Sequence, residues 1–200
     1  MEERYSAVYA HDVIEFVTVG AEFCAYLEQS EHRRRLEFVE TVLKLLPLLY
    51  LKVSLLPLRE EQEDFWMEEF VTELDYEWLR GTIAGVMGES DAYLDLCDEA
   101  STGHGEPEVK TISESLADIY QAVRNFVGAY QTGNEGNMNE AVAVVTCRFE
   151  LYWGQTLVDV MRALHKVRYI LPVSEEDMEE GCGCHDGECH CGGYHGYPED

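Results

Sequence analysis

Along the first 170 positions apolar residues recur at steps of three and four, and no segment alternates apolar with polar strongly enough to build a sheet. Such steps return a side chain to one face of an α-helix, whereas a strand needs a step of two. The expected fold is therefore all-α: one bundle-like domain of about five main helices over residues 1–170, with a flexible tail over 171–200. From His11 to about Ser30, Val13, Phe16, Gly20, Phe23 and Leu27 run beside Ile14, Val17, Ala21 and Cys24, while Glu15, Thr18, Glu22 and Gln29 fall opposite. This is an amphipathic helix with one broad buried stripe. A second stripe, Leu36, Val39, Leu43, Leu46, Tyr50 and Val53, contains Pro47. A proline inside a helix removes a backbone donor, so a kink or break is expected there.

Nine carboxylates and no basic residue lie between Glu60 and Glu77, interrupted by Phe65, Trp66 and Phe70. This reads as a long loop docked through its rings, with an acidic protein-binding surface as the functional alternative. Thr72 and Asp75 suit the first turn of a third helix, which carries Leu79, Ile83 and Val86 and stops at Gly88. Gly81 and Gly85 share one face of it, where a neighbouring backbone is expected to approach. Residues Glu89 to Lys110 read as an ordered loop. Thr111 and Glu114 have capping-box spacing for a fourth helix with Leu116, Ile119, Val123, Phe126 and Tyr130, ending near Gly133. Asn137 and Glu140 repeat that spacing and open a last helix to about Tyr169. Val144, Cys147, Leu151, Val158 and Met161 form one apolar face, and Val145, Phe149, Tyr152, Thr156 and Ala163 another. Apolar nearly all round, it is expected to be the central helix.

The charge narrows the function classes. Against 40 Asp and Glu the chain has 14 Lys and Arg, a net charge of −26, which repels phosphate backbones and anionic membranes. Direct nucleic-acid binding and membrane attachment are thereby disfavoured. Nine of the acidic residues fall after Ile170 without a single Lys or Arg. The most apolar segment, Leu43 to Leu58, is broken by Lys44, Pro47, Lys52 and Pro57, too short a run to span a bilayer. The N-terminus shows no basic region followed by an apolar stretch, so a cytoplasmic protein is expected. In that reducing compartment Cys24, Cys97 and Cys147 are expected to be small core residues with thiols raised by burial.

Signatures of catalysis are absent: there is no Glu-x-x-His, His-Glu-x-x-His, phosphate-binding Gly-x-x-x-x-Gly-Lys or Gly-x-Ser-x-Gly. A polar set on the last helix, Arg148, Glu150, Gln155 and Asp159, together with Asp118 or Tyr120 of the fourth, has the spacing to line a pocket between the two. The plainer reading of the same residues is a structural network of ion pairs and hydrogen bonds.

The tail differs in kind. Two Cys-x-Cys pairs, Cys182 with Cys184 and Cys189 with Cys191, lie four residues apart, with His185 and His190 beside them. Thiolates and imidazoles at this density suit zinc, copper or nickel. The four cysteines alone would complete a zinc site, and mixed Cys and His subsets would also serve. The expected cofactor is thus a soft metal at the tail, with none in the body; the alternative is an acidic tail that chelates adventitiously.

The segment Phe149-Glu150-Leu151-Tyr152-Trp153-Gly154-Gln155, with Leu116-Ala117-Asp118-Ile119-Tyr120-Gln121, Val13-Ile14-Glu15-Phe16-Val17 and Lys44-Leu45-Leu46-Pro47-Leu48-Leu49-Tyr50-Leu51, resembles a bacterial family of unknown function, domain of unknown function 5063. The resemblance covers about His11 to Leu164 and implies a cytoplasmic helical protein, without catalytic or binding residues to carry over. The leading expectation is a non-enzymatic module that binds a protein partner and carries a metal-coordinating tail. Alternatives are an enzyme or small-ligand-binding protein using the polar pocket, and an acidic decoy of a nucleic-acid-binding partner.

Overall fold

The computed structural model describes residues 7–57, 68–95 and 108–172. The chain divides into two units, Met1–Ile170 and Leu171–Asp200, and every element below belongs to the first. They run in the order of a short 3-10 turn (Ala7–Tyr9), α1 (His11–Glu28), α2 (Arg35–Ser54), α3 (Glu73–Met87), β1 (Ala92–Asp95), β2 (Glu108–Thr111), α4 (Ile112–Gln131), α5 (Glu135–Arg148), a π-helical turn (Phe149–Trp153) and α6 (Gly154–Tyr169). The fold is all-α with one two-stranded appendage.

The central helix is α4, not the last one. It packs against α1, α3, α5 and α6 and buries residues on nearly every side, among them Leu116, Ile119, Val123, Phe126 and Val127. The α1 stripe is as the spacing indicates, with Val13, Phe16, Gly20, Phe23, Cys24 and Leu27 buried. Phe16 meets Phe126 at a ring separation of 4.9 Å. Helix α2 continues through Pro47 without a break. Pro47 is exposed, so water can take the carbonyl one turn earlier that the missing N–H leaves unpaired. The buried face of α2 is Phe38, Val39, Val42, Leu46, Leu49 and Val53, and Tyr50 turns out.

Thr72 and Asp75 form a full capping box on α3, each side chain bonding the other's backbone amide. Gly81 and Gly85 mark no close approach, for nothing lies within 4 Å of either. The close approach occurs at Gly128 of α4, where an added Cβ would stand 2.5 Å from the Phe70 ring. Phe70 thus does dock, while Phe65 and Trp66 lie outside the described residues.

The expected loop from Glu89 to Lys110 begins and ends as an antiparallel hairpin, with Ala92 opposite Thr111 and Asp95 opposite Glu108. Four residues per strand leave too little alternation to read in the sequence. Asp91 fixes the hairpin to α4. Its side chain accepts from the Ser113 amide at 2.8 Å and from the Ser113 hydroxyl at 2.6 Å. The Thr111 hydroxyl accepts from the Glu114 amide. The cap of α5 is Asn134, whose side chain accepts from Gly136 and Asn137, three positions before the expected start.

Candidate functional site

Two features of the helical domain have the makings of a site. The first is an open cavity of about 320 Å³ lined by Glu28, Phe70, Val71, Asp75, Trp78, Tyr120 and Arg124. Tyr120 and Arg124 lie one turn apart on α4, so both face the C-terminal end of α1. There the Tyr120 hydroxyl donates to Glu28 Oε1 at 2.8 Å, and Arg124 Nε stands 3.5 Å from the same oxygen. The neighbouring Asn125 is buried, and its Oδ1 accepts from the amides of Phe70 and Val71 at 2.7 and 2.9 Å. That pair of bonds sets the segment leading into α3, and with it Asp75 and the half-exposed Trp78.

Electrostatics in the cavity follow from these contacts. Burial, then the bond to the Glu28 carboxylate, pushes the Tyr120 hydroxyl above its ordinary pKa. The Thr72 hydroxyl and amide hold Asp75 below the usual carboxylate range, with a smaller contribution from the Arg124 charge. Cys24, one turn before Glu28, is buried, and burial followed by the Glu28 charge pushes its thiol up. It is therefore no nucleophile. Two carboxylates and one guanidinium leave the cavity wall with an excess negative charge.

The second feature is an apolar surface at the other end of α1. Between Phe149 and Trp153 the helix widens into a π turn, which inserts one extra residue and shifts every later side chain by about 100°. Gly154 permits it: an added Cβ would collide with the Phe149 carbonyl and lie 2.9 Å from the Phe149 ring. The shift carries Trp153, Leu157, Val160 and Leu164 into the core and turns Leu151 and Tyr152 out, 58% and 70% exposed. Both faces expected of one uninterrupted last helix are corrected by that phase change; Val158 is exposed as well. Tyr50 of α2 meets the Phe149 ring edge-on at 5.0 Å. Beyond Tyr50, the outer face of α2 presents Leu48, Leu51 and Leu55, each more than a third exposed.

The six polar residues grouped by the sequence do not share one pocket. Arg148, Glu150 and Gln155 are exposed, and Gln155 Nε2 donates to Asp159 one turn on, at 3.1 Å. Asp118 is exposed and accepts from the Tyr76 hydroxyl at 2.7 Å. Of the six, Tyr120 alone lines the cavity. The residues that do line it, Glu28, Trp78 and Arg124 among them, come from three helices. No local pattern announces them, except the Tyr120 and Arg124 spacing.

The metal ligands expected in the tail, Cys182, Cys184, His185, Cys189, His190 and Cys191, lie outside the described residues. Among the described residues, His11, Asp12 and Glu15 can bring ligand atoms within 4.8 Å of one another. That cluster is a poor cation site, because Lys52 Nζ already holds Glu15 at 2.8 Å and a helix N-terminus repels cations. No helix among the described residues is long and apolar enough to cross a membrane.

Comparison with known proteins places the helical domain. No curated protein is matched. The crystal structure of protein BF1032 from Bacteroides fragilis, a structural genomics target, is 45% identical, covers 84% of this chain and 99% of its own, and superposes with a TM-score of 0.72. The family described as domain of unknown function 5063 matches residues 7–170, so the chain belongs to that family.

Proposed function

We propose that the helical domain is a non-enzymatic module that binds a protein partner in the cytoplasm, and that its tail binds zinc or another soft metal. The observation that carries the first part is the apolar surface of Leu48, Tyr50, Leu51 and Leu55 with Leu151 and Tyr152. Large apolar side chains gathered on a surface mark a contact far more often than singly scattered ones do. Completing the burial of each is worth about 1 kcal/mol or more. The π turn that presents Leu151 and Tyr152 leaves less regular backbone bonding than an α-helix, and such turns concentrate at functional sites. A net charge of −26 opposes pairing of two copies, so the partner is a different protein.

Placing a photo-crosslinking side chain at Leu51 or Tyr152 tests this. A specific adduct from those positions and none from Leu94, an exposed residue of β1, supports the reading. Equal labelling from all three defeats it.

The tail reading rests on four cysteines and two neighbouring histidines within ten residues, with Asp186 and Glu188 adding negative potential. Thiols must lose protons on binding, so affinity rises with pH. Zinc titration of the full chain against a competing chromophore, repeated with Cys182, Cys184, Cys189 and Cys191 all replaced by Ser, checks it. Equal zinc uptake by the two chains would remove the tail from the account.

A further inference from the structure

The cavity at the far end of α1 points to a ligand of its own. It is well separated from the apolar surface, since Glu28 lies 13 residues along α1 from Glu15, which Lys52 ties to the C-terminal half of α2. At 1.5 Å per residue that is about 20 Å. We propose that this cavity receives a positively charged guanidinium, the arginine side chain of a peptide segment of another protein.

Three observations carry this. The wall holds the carboxylates of Glu28 and Asp75 against the single guanidinium of Arg124, so one further positive charge is needed for balance. Arg124 is an unsuitable anchor for an anion: Glu28 stands 3.5 Å from its Nε, and its charge already acts on Asp75. Any incoming carboxylate or phosphate would meet two fixed negative charges. The C-terminal end of α1, where Glu28 sits, adds the negative end of a helix dipole.

Aromatic chemistry narrows the cation further. Trp78 lines the cavity while half exposed, and Phe70 lines its floor, held against Gly128. An indole face is the best cation–π partner among side chains. A planar guanidinium stacks on such a face while donating in its own plane to a carboxylate, which a compact ammonium cannot do. Glu28 is suited to accept. The Tyr120 hydroxyl and Arg124 Nε fix Oε1, which orients the carboxylate before the ligand arrives. The exposed Glu68, Glu69 and Glu73 border the α3 end of the cavity and would steer a basic segment towards it.

The test is a titration of the full-length protein with N-acetyl-arginine amide, followed by the Trp78 indole resonance and compared with Trp78→Ala and Glu28→Gln. Trp78 is half exposed, the side-chain amide introduced by Glu28→Gln keeps an oxygen to accept from Tyr120, and circular dichroism verifies that both variants fold. A saturable shift is expected, weakened about threefold by Trp78→Ala and about tenfold by Glu28→Gln. Equal binding by all three proteins would mean diffuse attraction to an acidic surface and would overturn the proposal. So would the absence of a saturable shift, or saturable binding of N-acetyl-glutamate amide at the same site. Much tighter binding of free arginine than of its capped form would overturn the peptide assignment in favour of the amino acid. None of these outcomes depends on the apolar surface of α2.

Discussion

The indole Nε1 of Trp153 donates to the carbonyl of Val145 at 3.2 Å, spanning the π turn from its last residue back into α5. One side chain thereby fills core volume and satisfies a backbone acceptor where the regular ladder is disturbed. Gly154 completes the arrangement by leaving room for Phe149.

From this follows the behaviour of two variants. Trp153→Phe keeps most of the buried volume and loses the bond, costing about 1 kcal/mol. Gly154→Ala must push Phe149 aside or undo the π turn, costing about 1–3 kcal/mol. Urea denaturation measures both. If Gly154→Ala leaves the midpoint unchanged, the close packing claimed at the π turn is wrong.

Asn125 is the second structural keystone, because one buried oxygen serves two amides of the segment entering α3. Asn125→Ala leaves both donors without that partner and is expected to destabilise by about 2–4 kcal/mol. Asn125→Asp retains an acceptor and is expected to recover part of the loss. Amide exchange at Phe70 and Val71 offers a local readout, rising in Asn125→Ala well before global unfolding.

Alkaline pH should weaken the domain through its tyrosines. Burial, then hydrogen bonds to Asp118 and Glu28, raises the pKa values of Tyr76 and Tyr120 in the folded state. The folded protein therefore holds these protons more tightly than the unfolded chain. Their stabilisation is complete below the unfolded tyrosine pKa of about 10, and it is lost as pH rises from there through the folded values. Denaturation midpoints measured up to and beyond that pH are expected to fall. The Tyr76→Phe, Tyr120→Phe double variant is expected to fall less steeply.

Much of the fold was legible in residue spacing, and the exceptions share physical causes. The α1 stripe, the Thr72 cap and the left-handed Gly133 (φ 69°) are local signals, and all are in the structure. Pro47 reads as a break only when its exposure is unknown. The last helix was misread because a single π turn changes the phase of everything after it, and the sequence between Arg148 and Gly154 carries no mark of an added residue. The cavity was illegible for a different reason. Glu28, Trp78 and Arg124 are ordinary surface-type residues on three helices, and their meeting depends on how Asn125 and Gly128 seat Phe70.

The most direct test of the interaction reading is quantitative affinity capture from cells, comparing the full chain with its Leu51→Glu, Tyr152→Ser variant and with Leu94→Glu as a surface control. The replaced side chains are all at least half exposed, so equal thermal stability is expected of the three proteins. The account predicts a protein retained by the parent and by Leu94→Glu, lost with the double variant, and showing the same order of affinity once purified and titrated. Retention of the same proteins in the same amounts by all three would contradict it.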